Sequence, residues 1–170
     1  MEYTVKRSAR RTVSVEITAD AEVLVRAPKA MSHKALEEFL ADHEEWICTH
    51  LERCRQKRDA EQELSPEDVR RIREEALPVL SEKAAYYGRQ MGVRPAGIRV
   101  TSAKTRFGSC SGKNHICFSW RLMLYPEEAV DYVVVHELAH ILHKNHGAAF
   151  YRTVAEILPD YRERVKLLKG

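Results

Sequence analysis

Residues 12–18 (TVSVEIT) set apolar Val13, Val15 and Ile17 between polar neighbours, the period-two pattern of a strand. Residues 22–27 (EVLVRA) alternate in the same way, and the short ADA between the two runs predicts a hairpin that Pro28 ends. From Ser32 the period changes. Leu36, Phe39, Leu40, His43, Trp46, Ile47, His50 and Leu51 recur every three or four residues, which predicts an amphipathic helix capped by Ser32 and packed on the hairpin face. Residues 56–63 (QKRDAEQE) are charged and nearly free of apolar side chains, as in a solvated helix end or a linker. This stretch divides the chain into an N-terminal hairpin-and-helix lobe, residues 1–60, and a core, residues 61–170.

Ser65-Pro66-Glu67-Asp68 is a helix start, with a hydroxyl cap, proline at the first helical position and acids facing the positive end of the helix dipole. The helix is expected to run to about Met91, where Gly92 stops it, and Pro78 is expected to kink or divide it. Residues 97–104 and 115–122 read as strands, and TRFGSCSGKN (105–114) between them reads as a loop.

From Pro126 the chain reads PEEAVDYVVVHELAHILHKNHG. Pro126 starts a helix, and Val130, Val133, Val134, Val135, Leu138, Ile141 and Leu142 make it apolar on nearly every side, as a buried helix is. Yet it holds His136, Glu137 and His140, and a buried carboxylate is costly unless something compensates it. Residues i and i+4 share one helix face, so two imidazoles in His-Glu-x-x-His can point at one metal ion. Zn²⁺ takes neutral imidazole nitrogen, and a catalytic zinc site has three protein ligands and one open position. Glu137, off the ligand face but next to it, can take a proton from a water that the metal activates.

The third ligand is His146. A continuing helix would carry it ~9 Å further along the axis than His140, so the helix must end and the chain turn back. Asn145 and Gly147 beside it tolerate the left-handed conformations expected of that turn. Other ligand schemes are Glu156 as a carboxylate ligand, and a separate structural site from Cys110, Cys117 and His115. His143 is a candidate to cap or shield the centre.

Composition narrows the class. With 170 residues, 44% hydrophobic and 31% charged, the chain suits one ordinary domain or one with a small appendage, and argues against a disordered chain and a membrane protein. Its longest uncharged apolar run, residues 132–136, is far short of the ~20 residues that span a bilayer. The start, MEYTVKRSARRT, has no apolar stretch behind its basic residues, so no signal peptide is expected. A cytoplasmic location follows, with Cys48, Cys54, Cys110 and Cys117 as free thiols. Net charge is +3, but unevenly spread: residues 1–85 carry 15 Lys and Arg against 18 Asp and Glu, and residues 86–170 carry 13 against 7. The basic half could attract nucleic acid or an acidic substrate.

The strings TRFGSC (105–110), ICFSWRL (116–122) and DYVVVHELAHILHKNH (131–146), with Phe150 and LPDY (158–161), resemble the YgjP-type metallopeptidase domain. The resemblance is strong over about residues 98–165 and looser over the hairpin and the Trp46-Ile47 helix. It implies a zinc peptidase with His136, His140 and His146 as ligands and Glu137 as catalytic acid/base. Phe107 stands where the family usually has Trp, which keeps a packing role and loses an N–H donor.

The fold expected is α+β and zincin-like: a small, mostly antiparallel sheet packed on helices, with the His-Glu-x-x-His helix buried beneath it. Strand 115–122 is expected to form an edge above the metal and to pair with an extended peptide or protein substrate. Arg106, His143 and Tyr151 are the candidates for stabilising the oxyanion. Two rivals remain: a zinc endoribonuclease with the same histidine spacing, which leaves Glu137 unexplained, and an accessory domain that binds protein or nucleic acid with little turnover.

Overall fold

The structure, a computed structural model, describes residues 2–18 and 20–169. Its contacts divide between Ser65 and Pro66. In the first unit the hairpin strands are β2 (Ser14–Ile17) and β3 (Val23–Pro28), paired antiparallel with Val15 opposite Val25. A strand that the alternation missed, β1 (Thr4–Ser8), pairs parallel to β3, giving the order β1-β3-β2. Its TVKRS sequence is mostly exposed and carries little periodicity, so only the free edge of β3 reveals it.

Ser32 caps the following helix by accepting from the Ala35 N–H at 3.2 Å. That helix is broken where the spacing predicted continuity: α1 (His33–Asp42) and α2 (Glu44–Gln62) meet at His43. The His43 ring nitrogen bonds the Phe39 carbonyl at 2.8 Å, and its backbone N–H turns to Leu40 instead. The same ring-to-carbonyl bond from His50 to Trp46, also 2.8 Å, leaves α2 unbroken, so the side chain alone does not account for the break. Val23, Val25, Ala27, Leu36, Leu40 and Ile47 form the core of this unit. The charged stretch 56–63 continues as the end of α2.

The second unit begins with α3 (Pro66–Met91). Pro78 lies inside it without dividing it. Ala76, Leu80, Ala84 and Gly88 on one face are buried, so packing on both sides of the proline holds the turns in line. Gly92, at φ +66°, ends the helix as expected.

The second sheet has the order β4-β6-β5, from β4 (Gly97–Thr101), β5 (Gly108–Cys110) and β6 (His115–Ser119). Both sheets are mixed, one parallel and one antiparallel pair each, rather than mostly antiparallel. The segment expected as a loop holds β5, and Asn114 at φ 59° turns the chain into β6. β6 is the central strand, so the edge beside the His-Glu-x-x-His helix is β5 and not the strand at 115–122. β6 also stops early: the Ser119 hydroxyl accepts from the Arg121 N–H and starts a 3-10 turn over Trp120–Leu124.

The central helix is α4 (Glu127–Leu142), packed on α3, on β5, and on α5 (Ala148–Ile157) and α6 (Tyr161–Lys169). At its start one carboxylate gathers three helices. Asp131 meets Lys83 of α3 at 2.7 Å and Arg164 of α6 at 3.5 Å, while Lys83 also reaches Glu127 at 2.6 Å. Side chains of Lys83, Asp131 and Arg164 are each less than one-fifth exposed, so water screens the group poorly.

Asp131→Asn keeps the shape of this junction and removes the shared charge. It is expected to lower unfolding free energy by about 2 kcal/mol, because two part-buried cations lose their common partner. Urea unfolding checks this; an unchanged midpoint would mean that apolar packing alone joins the three helices.

Candidate metal centre

α4 carries His136, Glu137 and His140 near its C-terminal end. The helix stops at His143, whose extended backbone (φ −131°, ψ 109°) turns the chain away, and α5 starts after Gly147. His146 lies in this turn. Gly147 is extended, at φ −82° and ψ −176°, so the turn does not need the left-handed conformation that its sequence suggested. The reversal instead uses extended residues on either side of the Asn145 carbonyl, which accepts from the Gly147 N–H at 2.9 Å.

Ligand-type nitrogens of His136, His140 and His146 all lie within 4.8 Å of one another. The Nε2 atoms of His136 and His146 are 3.0 Å apart. The other ring nitrogens are engaged elsewhere. His136 Nδ1 and the Tyr132 hydroxyl are hydrogen-bonded at 3.2 Å, and His140 Nδ1 donates to the His143 carbonyl at 3.0 Å. The carbonyl leaves Nε2 as the lone-pair nitrogen of His140, the tautomer a metal ligand needs, and Tyr132 can accept from His136 in the same tautomer. Burial, then the neighbouring His140 and His146, push the His136 pKa down to about 4, and burial also lowers His140. His136 and His140 are therefore neutral at pH 7. Phe150, fully buried, floors the cluster with its ring centroid 4.7 to 4.9 Å from each imidazole.

Glu137 is 5% exposed, and its Oε2 is buried with no hydrogen-bond partner. Burial raises its pKa to about 7, and the Arg106 guanidinium pulls in the opposite direction. The strand β5 passes directly over it. A Cβ on Gly108 would stand 2.6 Å from Glu137 Oε1, so only glycine lets the strand come this close.

Three imidazole donors with an orphaned carboxylate beside them fit a divalent metal ion well. Imidazole suits zinc, and three protein ligands leave a position for water and substrate. Glu156 is exposed and stands outside the cluster. Cys110, Cys117 and His115 form no metal-ligating group among the described residues. His143 holds the centre through its carbonyl, while its ring bonds the Thr153 hydroxyl at 3.1 Å. Tyr151 is 38% exposed, and its ring lies 6.3 Å from that of His146. Sequence reasoning missed Tyr132 and Gly108. Tyr132 was findable, being four residues before His136 and on the same helix face; Gly108 had no signal beyond its glycine.

No helix is long and apolar enough to cross a membrane among the described residues. Among curated proteins, the chain is 30% identical over 67 residues to UTP pyrophosphatase of Escherichia coli (strain K12), an alignment of 39% of this chain. It spans only 40% of that relative's length. Among solved structures, the metallopeptidase zymogen abylysin of Pyrococcus abyssi is 21% identical, with TM-score 0.49 over 52% of this chain and 90% of that one. The zymogen jannalysin of Methanocaldococcus jannaschii is 19% identical, with TM-score 0.47 over 53% of this chain and 94% of that one. The family model described as YgjP-like, metallopeptidase domain, matches residues 11–72 and 69–170. With nearly its whole length so matched, the chain belongs to the YgjP-like metallopeptidase family.

Proposed function

We propose that this protein is a zinc peptidase in which His136, His140 and His146 hold the metal and Glu137 is the general base and acid. The observation that carries the reading is the pairing of three converging imidazoles with a buried, unpartnered carboxylate. When bound, zinc acidifies water and polarises the scissile carbonyl. The chain's own groups do the rest. Tyr132 and the His143 carbonyl fix the two ring orientations. Glu137, with its pKa near 7, is poised to accept a proton from water and return it to the leaving amine. β5, an edge strand beside Glu137, offers backbone groups to an extended peptide by strand addition. The Arg106 guanidinium, whose charge Glu137 already feels, favours the ionised, proton-accepting form of that carboxylate.

A second reading is hydrolysis of a nucleoside triphosphate such as UTP, after the Escherichia coli relative. One observation favours it: between Glu82 and Glu127 there is no Asp or Glu, while eight Lys and Arg occur there. All three strands of the second sheet lie in this acid-free run. Incubating the zinc-loaded protein with a mixed peptide library and, separately, with UTP distinguishes the two. New peptide termini without pyrophosphate release are expected; the reverse would replace the peptidase reading.

Metal analysis tests the ligand set. One zinc per chain is expected, with His146→Ala losing most of it and Glu156→Ala none. Tyr132→Phe, which removes the hydroxyl bonded to His136 Nδ1, is expected to weaken zinc binding by about 10- to 100-fold. Zinc loss in Glu156→Ala would move the third ligand.

Glu137→Gln separates binding from chemistry: zinc content is expected to stay and hydrolysis to vanish. The same variant has a stability signature in metal-free protein. Because the folded pKa is raised from 4.5 to about 7, ionising Glu137 opposes folding above pH 7, and this cost fades as pH falls toward 4.5. Gln is therefore expected to stabilise the metal-free fold by on the order of 2 kcal/mol at pH 8 and hardly at all at pH 4.5. Equal effects at both pH values would show that Glu137 is not held ionised in a buried site.

A further inference from the structure

The second sheet has two unlike faces. Ile116 and Phe118 of β6 point into the core and are fully buried. Cys117 between them points the other way, and its cross-strand neighbours are Arg99 of β4 and Ser109 of β5. On this face lies a cavity of about 250 Å³, lined among others by Arg99, Thr101, Arg106, Ser109, Cys117 and Ser119. A neighbouring cavity of about 520 Å³ shares Arg99, Ser109 and Cys117, so the two form one groove across the sheet.

The chemistry of this groove is one-sided. No Asp or Glu lines either cavity. Neither Arg99 nor Arg106 forms an ion pair among the described residues, and the hydrogen bond given for Arg99 is a long one, 3.9 Å to the Cys117 sulfur. Two guanidinium groups therefore stand with most of their donors free, beside the hydroxyls of Thr101 and Ser109. Guanidinium forks match the oxygens of carboxylate and phosphate.

The groove is also coupled to the proposed centre. Gly108 of β5 touches Glu137, while Gly108 and the next residue, Ser109, both line the smaller cavity. Arg106 lines the cavity, and its charge acts on Glu137. A substrate strand laid along the β5 edge projects successive side chains to opposite faces of the sheet. A group sent to the outer face would meet the groove on its Ser109 and Arg106 side, with Arg99 reaching into the same cavity from β4, two strands away.

We propose that the Arg99–Arg106 cavity is an anion subsite that takes one negatively charged group of the substrate, a carboxylate or a phosphate, on the far side of β5 from Glu137. The proposal rests on the reading above that hydrolysis occurs at Glu137 with substrate along β5. It makes an acidic residue flanking the cleaved bond the preferred peptide feature.

Two arms test it. In the first, inorganic pyrophosphate is titrated calorimetrically into His146→Ala protein stripped of metal, so that neither metal nor turnover contributes. Binding that weakens with added salt is expected, and Arg99→Gln in the same background is expected to weaken it at least tenfold. Absent binding, or equal binding with and without Arg99, would overturn the subsite. In the second arm, paired peptides differing only by Asp or Asn beside the scissile bond, and UTP, are given to the zinc-loaded protein with and without Arg99→Gln. A carboxylate source predicts an Asp-over-Asn preference in kcat/KM of about tenfold that collapses toward one in Arg99→Gln. A phosphate source predicts that UTP turnover takes that loss instead. If nothing is turned over while the pyrophosphate result holds, the subsite stands and the hydrolase reading falls.

Discussion

A carboxylate is buried with nothing from the protein to satisfy it, and much of the second unit is arranged around that fact. α4 is apolar on almost every side because α3, α5, α6 and β5 all pack on it. Such a helix has no tolerance for charge unless each charge is answered. At its first turns the answer comes from the protein itself: Asp131 is met by Lys83 and Arg164. At its last turns Glu137 is given no such partner, only the distant Arg106. One helix thus holds two carboxylates in opposite conditions, one paired with cations, one buried without a partner. The close passage of β5 maintains the second condition, since Gly108 shuts water out of one side of Glu137 without supplying a donor.

The histidines follow the same logic. His136 and His140 are each bonded at Nδ1, and the carbonyl partner of His140 commits its Nε2 as a lone-pair nitrogen before any ion arrives. The floor beneath them is Phe150, which adds no polar competitor. A site prepared in this way does not have to reorganise its ligands on metal entry, which favours firm binding.

What could be read from sequence was what is local. The start of α4, its burial, the same-face spacing of His136 and His140, and the need for a turn before His146 all depend on residues within a few turns of one another. What escaped depends on neighbours far along the chain. β5 is three residues, Gly-Ser-Cys, with no alternation to betray it, and exists because β6 offers it an edge. β1 likewise exists because β3 has a free side. The continuity of α3 through Pro78 turned on packing overriding a local breaker. The mistaken choice of edge strand has the same root, because strand order is a property of the whole sheet.

The separation of these two length scales bears on how the centre assembles as the chain folds. His136, His140 and His146 fall within eleven consecutive residues, so bringing them together closes only a short loop and costs little chain entropy. The wall that encloses Glu137 comes from Gly108, nearly thirty residues earlier, and requires the whole β4-β6-β5 sheet to be in place. Contacts of short sequence separation form early in folding, and those of long separation form late. A newly made chain can therefore gather the three imidazoles while Glu137 is still bathed in water and the β5 edge is still absent. The imidazole cluster forms first, and the wall that buries Glu137 arrives only with the finished sheet.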